Sequence, residues 1–146
     1  TKEASLNDVL DTVPLDSDRW KTYDHLASKA VKDKAAGKGF ARQLLTGAEG
    51  FCGTIGKGYF KGRSTEPFIL HPANPGLSRL LTAQEHARVK GIPECVFAGE
   101  AETVAHEIMG QAVVYPLFVS VGAGIARLLR AAQLQSDAQP QLLLAA

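Results

Sequence analysis

At 146 residues the chain is long enough for one domain with a real core, or one domain and a tail, and its 45% apolar and 21% charged composition is that of an ordinary globular protein. Cys52 and Cys95 stand far apart with no CxxC pair, which argues against a disulfide framework and a structural zinc site. The net charge of +1 is unevenly spread: residues 1–20 carry −3, residues 21–63 carry +6 from nine bases and three acids, and residues 64–146 carry −2. Only the middle third suits a polyanion. No charged-then-apolar leader opens the chain, and no apolar run approaches the roughly eighteen residues that span a bilayer. The richest run, Ala112 to Val121, contains Tyr115 and Pro116. The expectation is a cytoplasmic, intracellular protein with no membrane partner.

In chain order, Ser5 is placed to cap a short helical turn through Leu10, stopped by Pro14. A longer helix is expected over Ser17 to Ala36, with Trp20, Tyr23, Leu26, Ala27, Ala30 and Val31 at three- and four-residue spacing and Gly37 as its stop. From Gly37 to Gly62 glycines recur between short apolar pieces, Gln43–Thr46, Phe51–Ile55 and Tyr59–Phe60, which reads as small strands joined by tight turns. Phe68–Leu70 is another strand candidate. Thr82-Ala83-Gln84-Glu85 is a capping box that opens a helix to Lys90, stopped by Gly91 and Pro93. A further helix is expected from Glu102 to Met109, ended by Gly110. Pro116 suits the first turn of a last helix to about Ala132, with Leu117, Val121, Ile125 and Leu128 on one face. The pattern predicts an α+β fold with a small glycine-rich β region, several helices and a long C-terminal helix. Its segments are a helical 1–36, a glycine-rich basic 37–78, a helical 79–132 and a disordered tail over 133–146.

Familiar catalytic and binding patterns fail on inspection. The glycine-rich stretch is no phosphate loop: Phe51 stands where the first glycine belongs, and Gly58 follows Lys57 where Ser or Thr is needed. His106-Glu107 begins an HExxH pattern, but position 110 is Gly, so the second metal ligand is missing. His25, His71 and His86 form no ligand spacing. Neither cysteine follows a proline or has a base beside it, and no metal is expected.

One ordered pair of motifs does carry information. The text RLLTAQEHARVKGIPE, residues 79–94, resembles the ninth conserved motif of the DNA (cytosine-5)-methyltransferases, through Arg79, Leu81, Thr82, Glu85, Ala87, Arg88, Gly91 and Pro93. About twenty residues on, GQAVVYPLFVSVGAGIARLL resembles the tenth motif and its amphipathic helix. Upstream, the glycine- and lysine-rich stretch stands where these enzymes carry their variable target-recognition domain, and SLNDVL resembles the segment after their eighth motif.

The resemblance implies a C-terminal fragment of a larger two-domain enzyme. The family's FxGxG loop, Pro-Cys nucleophile, ENV glutamate and R-x-R motif are absent from this sequence, so no catalytic residue is expected here. The implied partners are double-stranded DNA and a missing N-terminal catalytic half, in cis or in trans. The implied cofactor is S-adenosylmethionine, held only in the complete enzyme. Arg79, Thr82, Glu85 and Arg88 would be architectural. Gly110, Gln111, Ala112 and Val113 match the loop that touches the cofactor, though Gln111 replaces the usual Asn and Ala112 the usual Ser. Lys38, Arg42, Thr54, Lys57, Lys61 and Arg63 are the DNA-contact candidates, since glycine turns let amides and bases approach a groove closely. The competing readings are a stand-alone DNA-binding or regulatory module, and an unrelated α+β domain. An upstream partner bearing the missing motifs would distinguish the first reading from both.

Overall fold

The computed structural model describes residues 5–39 and 41–138. The chain divides into two compact units, Thr1–Ala112 and Val113–Ala146. The architecture is mixed α and β, as the sequence pattern predicts.

The first unit opens with a 3₁₀ turn, Leu6–Asp8, tightened by the Ser5 amide donating to Asp8 Oδ2 at 2.9 Å. Helix α1 spans Asp24–Ala35, not the expected Ser17–Ala36. The reason lies in Trp20 and Lys21. The Trp20 indole donates to the Pro14 carbonyl at 2.8 Å, and Lys21 exchanges both backbone hydrogen bonds with Ser78 at 3.0 Å. Tertiary pairing thus holds this stretch out of the helix its apolar spacing favours. Within α1 only Leu26 is buried, and Val31, expected on the apolar face, is 70% exposed.

A three-stranded sheet follows in the order β1 (Gln43–Leu45), β2 (Pro67–Leu70), β3 (Ser78–Arg79). Strands β1 and β2 are parallel, with Leu44 opposite Phe68, and β2 and β3 are antiparallel, with Ile69 opposite Arg79. Two of the expected strands do not form. Residues 51–56 have no regular structure, and Tyr59–Lys61 is a 3₁₀ turn. The Gly53 amide donates to the Gln43 side chain at 2.7 Å, so a side chain takes the place of a neighbouring strand.

Helix α2, Ala83–Lys90, begins at the predicted capping box and ends at Gly91 in the left-handed conformation. Helix α3 spans Glu102–Gln111 and runs through Gly110, which was expected to stop it. A Cβ at position 110 would lie 2.5 Å from the Gly56 carbonyl carbon and from Lys57 Cα. Gly110 is therefore a packing glycine that lets the 56–57 loop cross the helix. Ala83, Ala87, Ile92, Phe97, Ala105 and Met109 form one core between α2 and α3. Ile55, Tyr59, Ile69 and Leu81 form the other, beneath the sheet and the glycine-rich loop.

The second unit is helix α4, Tyr115–Ala138. It reaches six residues past the Ala132 expected, and residues 139–146 lie outside the described part. The stretch Glu102–Ser136, which takes in α3 and most of α4, contains a window long and apolar enough to cross a membrane. That corrects the expectation that no run reaches this length: Pro116 sits in the first turn, where its missing N–H costs nothing, so the helix runs on uninterrupted. Among the described residues of this unit no second element covers α4, and Leu117, Val121, Ile125 and Leu128 are exposed.

Candidate functional site

The motif from Arg79 to Arg88 folds into a buried hydrogen-bonded knot. Thr82 caps α2 by accepting from the Glu85 amide at 3.1 Å, and Glu85 accepts in return from the Thr82 amide at 2.7 Å. Glu85 also receives the Arg79 guanidinium bidentately, at 2.6 and 2.7 Å, and the Asp11 amide at 2.7 Å. Arg79 is 2% and Glu85 0% exposed, so this carboxylate is satisfied entirely by protein. The Thr82 hydroxyl donates to Asp11 Oδ2 at 2.9 Å, Arg88 Nε donates to the Val9 carbonyl at 2.8 Å, and the Arg88 guanidinium pairs with Asp11. Burial would raise the Asp11 carboxyl, but the Arg88 and Thr82 hydrogen bonds outweigh it and hold it below the usual range. The segment around Val9 and Asp11 is thereby sewn to the start of α2.

The glycine-rich basic region is built around Phe68. Arg42 places its guanidinium carbon 5.3 Å above that ring. Gly62, in the left-handed conformation at φ 58°, brings the chain so close that a Cβ there would sit 3.5 Å from Phe68 and from Tyr23. Lys61 and Arg63 flank this glycine. Lys61 Nζ lies 5.6 Å from the Phe60 ring, and the Arg63 guanidinium lies across Gly58. Glu66 accepts from the Arg63 backbone amide at 2.7 Å.

The six basic-region candidates therefore separate. Lys38 is paired with Asp33 at 3.1 Å and Lys57 with Glu107 at 2.8 Å. Arg42, Lys61 and Arg63 have no ion pair among the described residues, and Thr54 is exposed. Arg42 Nε is buried without a hydrogen-bond partner, and burial pulls the Arg42 guanidinium below its ordinary value. The Phe68 ring attracts the Arg42 guanidinium, but the buried Nε without a partner is costly, and the charge carries no carboxylate partner among the described residues.

The four residues matched to the cofactor loop do different things. Gly110 is held against the 56–57 backbone, as described. The Ala112 side chain packs on the α2–α3 core, and its carbonyl accepts from Lys90 Nζ at 3.1 Å. Lys90 also reaches the Met109 carbonyl at 2.6 Å, and so neutralises the C-terminal end of α3. Gln111 is exposed, with a long 3.4 Å bond to the Glu107 carbonyl, and Val113 is half exposed.

A buried cluster escaped sequence reasoning. His86 and His106, twenty positions apart, stack with Nδ1 atoms 3.0 Å apart, and both pack edge-on to Tyr59. The Tyr59 hydroxyl donates to the Pro67 carbonyl and accepts from the Leu81 amide, each at 2.8 Å, tying β2 to the start of α2. An Nδ1–Nδ1 hydrogen bond needs one unprotonated nitrogen, so the two rings cannot both be charged. Desolvation first, then His106 and Lys90, push His86 down to about 3, and burial lowers His106 as well. Only spatial proximity could have revealed this pair, since neither residue belongs to a recognisable spacing. Among the described residues no group of three or more His, Cys, Asp or Glu is placed to hold a metal.

Comparison with known proteins bears on the knot and the fold together. No family model matches the chain. The Type II methyltransferase M.NlaX of Neisseria lactamica is 28% identical over 123 residues, which is 80% of this chain. The crystal structure of the S. pombe Dnmt2 methyltransferase superposes on 86% of this chain with a TM-score of 0.64 at 14% identity. The chain is similar to a type II methyltransferase in sequence and to a Dnmt2 methyltransferase in fold. A methyltransferase of Entamoeba histolytica, EhMeth, matches 78% of it with a TM-score of 0.50 at 16% identity. This methyltransferase-like chain spans 37% of the Neisseria relative, 42% of the S. pombe chain and 38% of the Entamoeba chain.

Proposed function

We propose that the chain is the target-recognition and cofactor-edge portion of a DNA (cytosine-5)-methyltransferase that uses S-adenosylmethionine, and that it transfers no methyl group alone. The observation that carries this reading is the contrast in charge pairing. The bases of the motif-nine knot are consumed by carboxylates, while Arg42, Lys61 and Arg63 carry no ion pair among the described residues and are left for phosphates. Duplex DNA supplies the anion, and backbone contacts of this kind position a protein on it. The cofactor would meet this part of the enzyme through Gln111 and Val113, because Gly110 and Ala112 are engaged in packing. One such edge cannot enclose a small ligand, so the missing N-terminal half supplies most of that pocket. The exposed apolar stripe of α4, Leu117 to Leu128, suits burial against that half.

The test is methyl transfer to duplex DNA by the purified chain, alone and mixed with the N-terminal half of its parent. No transfer alone and recovery on mixing is the expected result. Transfer by the chain alone would overturn the proposal. DNA binding with no recovery from two soluble halves would favour a stand-alone DNA-binding or regulatory module.

A further inference from the structure

Helices α2 and α3 end in different ways. Helix α2 stops at Gly91, which takes the left-handed conformation at φ 64° and returns its amide to the Ala87 and Arg88 carbonyls. Helix α3 carries no such stop. Gly110 lies inside the helix and is not left-handed, the cap residue Ala112 is extended at φ −75°, and the last turn holds no base of its own. The end of α3 is closed from outside. Lys90, the last residue of α2, donates through Nζ to the Met109 carbonyl at 2.6 Å and to the Ala112 carbonyl at 3.1 Å. A cation against terminal carbonyls satisfies acceptors that the helix leaves open and offsets its negative end.

The two carbonyls bracket Gly110 and Gln111. At the same turn the Gly56–Lys57 backbone lies against Gly110 with no room for a Cβ, and Lys57 pairs with Glu107 at 2.8 Å. The Ala112 side chain packs on the α2–α3 core. The backbone at 111 is thus pinned by its neighbours, while the Gln111 side chain is exposed and held only by a 3.4 Å bond to the Glu107 carbonyl. A fixed backbone beneath a free amide is what a precise ligand contact requires.

We propose that Lys90 is a positioning residue for the cofactor edge: it touches no ligand, and by closing the end of α3 it sets where the Gln111 amide is offered to the cofactor. This rests on the reading of Gln111 as part of that edge. Lys90 has no ion pair among the described residues, so its charge is met by these carbonyls and not by a carboxylate.

Two readouts test the role. Hydrogen exchange in the intact chain follows the Ala112 amide, which donates to the Ile108 and Met109 carbonyls at 3.1 and 3.2 Å. Lys90→Met keeps the apolar stem and removes the donors. It should speed exchange at Ala112 about tenfold and leave the His86 amide, bonded to Thr82 in α2, unchanged. In the enzyme reassembled with the N-terminal half, the same variant should raise the KM for S-adenosylmethionine about five- to tenfold, the loss expected of one displaced hydrogen bond. The KM for duplex DNA and kcat should stay within about twofold. Lys90→Arg, which keeps a cation with several donors, should restore both readouts. If Lys90→Met does not fold, Lys90→Gln is read in the same way. Leu26→Ala, which loosens the buried face of α1, should leave the cofactor KM unchanged. A rise there equal to that of Lys90→Met would mean general loosening and would overturn the role. Unchanged exchange at Ala112, or faster exchange with an unchanged cofactor KM, would also overturn it while the methyltransferase reading stands. A wild-type mixture with no methyl transfer would instead count against the cofactor reading itself, and the role of Lys90 would fall with it.

Discussion

Arg79 and Arg42 are held in similar ways and left with opposite assignments. Each guanidinium lies against an aromatic ring, at 5.2 Å from Trp20 and 5.3 Å from Phe68, and each has a buried Nε without a partner. Arg79 then meets Glu85 in a bidentate pair, and its charge is used up inside the fold. Arg42 meets no carboxylate among the described residues, and burial lowers its affinity for the proton. The difference teaches that the number of arginines in a segment says little about what the segment binds. What matters is how many of them the fold has already neutralised, and the same reasoning sets Lys57 and Lys38 apart from Lys61 and Arg63.

The largest break in this contrast should come from Glu85→Ala. As a simple capping residue Glu85 would be worth roughly 0.5–2 kcal/mol. The structure raises that, because removing it leaves Arg79 charged, buried and unpaired, a loss of about 3–5 kcal/mol. Denaturant midpoints measure it, and a cost under about 1 kcal/mol would mean that the knot is not holding Arg79. The DNA sequence preferred by the reassembled enzyme should not change.

Gly110→Ala comes next. Its Cβ would lie 2.5 Å from the Gly56 and Lys57 backbone, so either the loop or α3 must shift, at about 1–3 kcal/mol. Thermal unfolding tests this directly. A neutral result would mean that the glycine at this position is free for another purpose, such as approach to a cofactor.

The histidine pair gives a pH signature that separates buried support from exposed charge. His86 and His106 titrate lower in the folded chain than the ordinary 6.5, with His86 at about 3. The unfolded chain therefore binds more protons below pH 6.5, and stability is full above that value and declines as pH falls toward the folded value. For His86 the loss amounts to about 1 kcal/mol between pH 6.5 and 5.5, and His106 adds to it in the same direction. Glu102 and Asp11 are lowered carboxylates whose contributions are lost only below their ordinary values of 4.5 and 3.8, so the range from pH 6.5 to 5.5 reports on the histidines. A flat profile from pH 6.5 to 5.5 would remove the neutral-pair assignment.

Local signals were legible in the sequence, and long-range ones were not. The capping box at Thr82 and Glu85, the strands at Gln43 and Phe68, and the helix around Ala105 depend on neighbours three or four positions away. Strand β3 is two residues long and pairs with Lys21, so it has no periodicity to read. The stretch Ser17–Tyr23 has helical spacing, but Trp20 is used against Arg79 and Pro14 instead. The ordered motifs pointed to methyltransferases, and the relatives this chain is similar to are methyltransferases. The division of the basic residues into paired and unpaired depended on Asp33 and Glu107 facing particular lysines, which spacing does not encode.

The largest effect on binding should come from the triple variant Arg42→Ala, Lys61→Ala, Arg63→Ala. Lys61→Ala and Arg63→Ala should each change stability by no more than about 0.5 kcal/mol, while Arg42→Ala also loses its contact with Phe68, worth about 0.5–2 kcal/mol. Duplex affinity measured against salt concentration is the most direct test of the account. The wild-type chain should lose affinity steeply as salt rises, and the triple variant should bind more weakly with a slope flatter by about one for each phosphate contact removed. The same slope and affinity in both proteins would contradict the claim that these three bases are held for DNA.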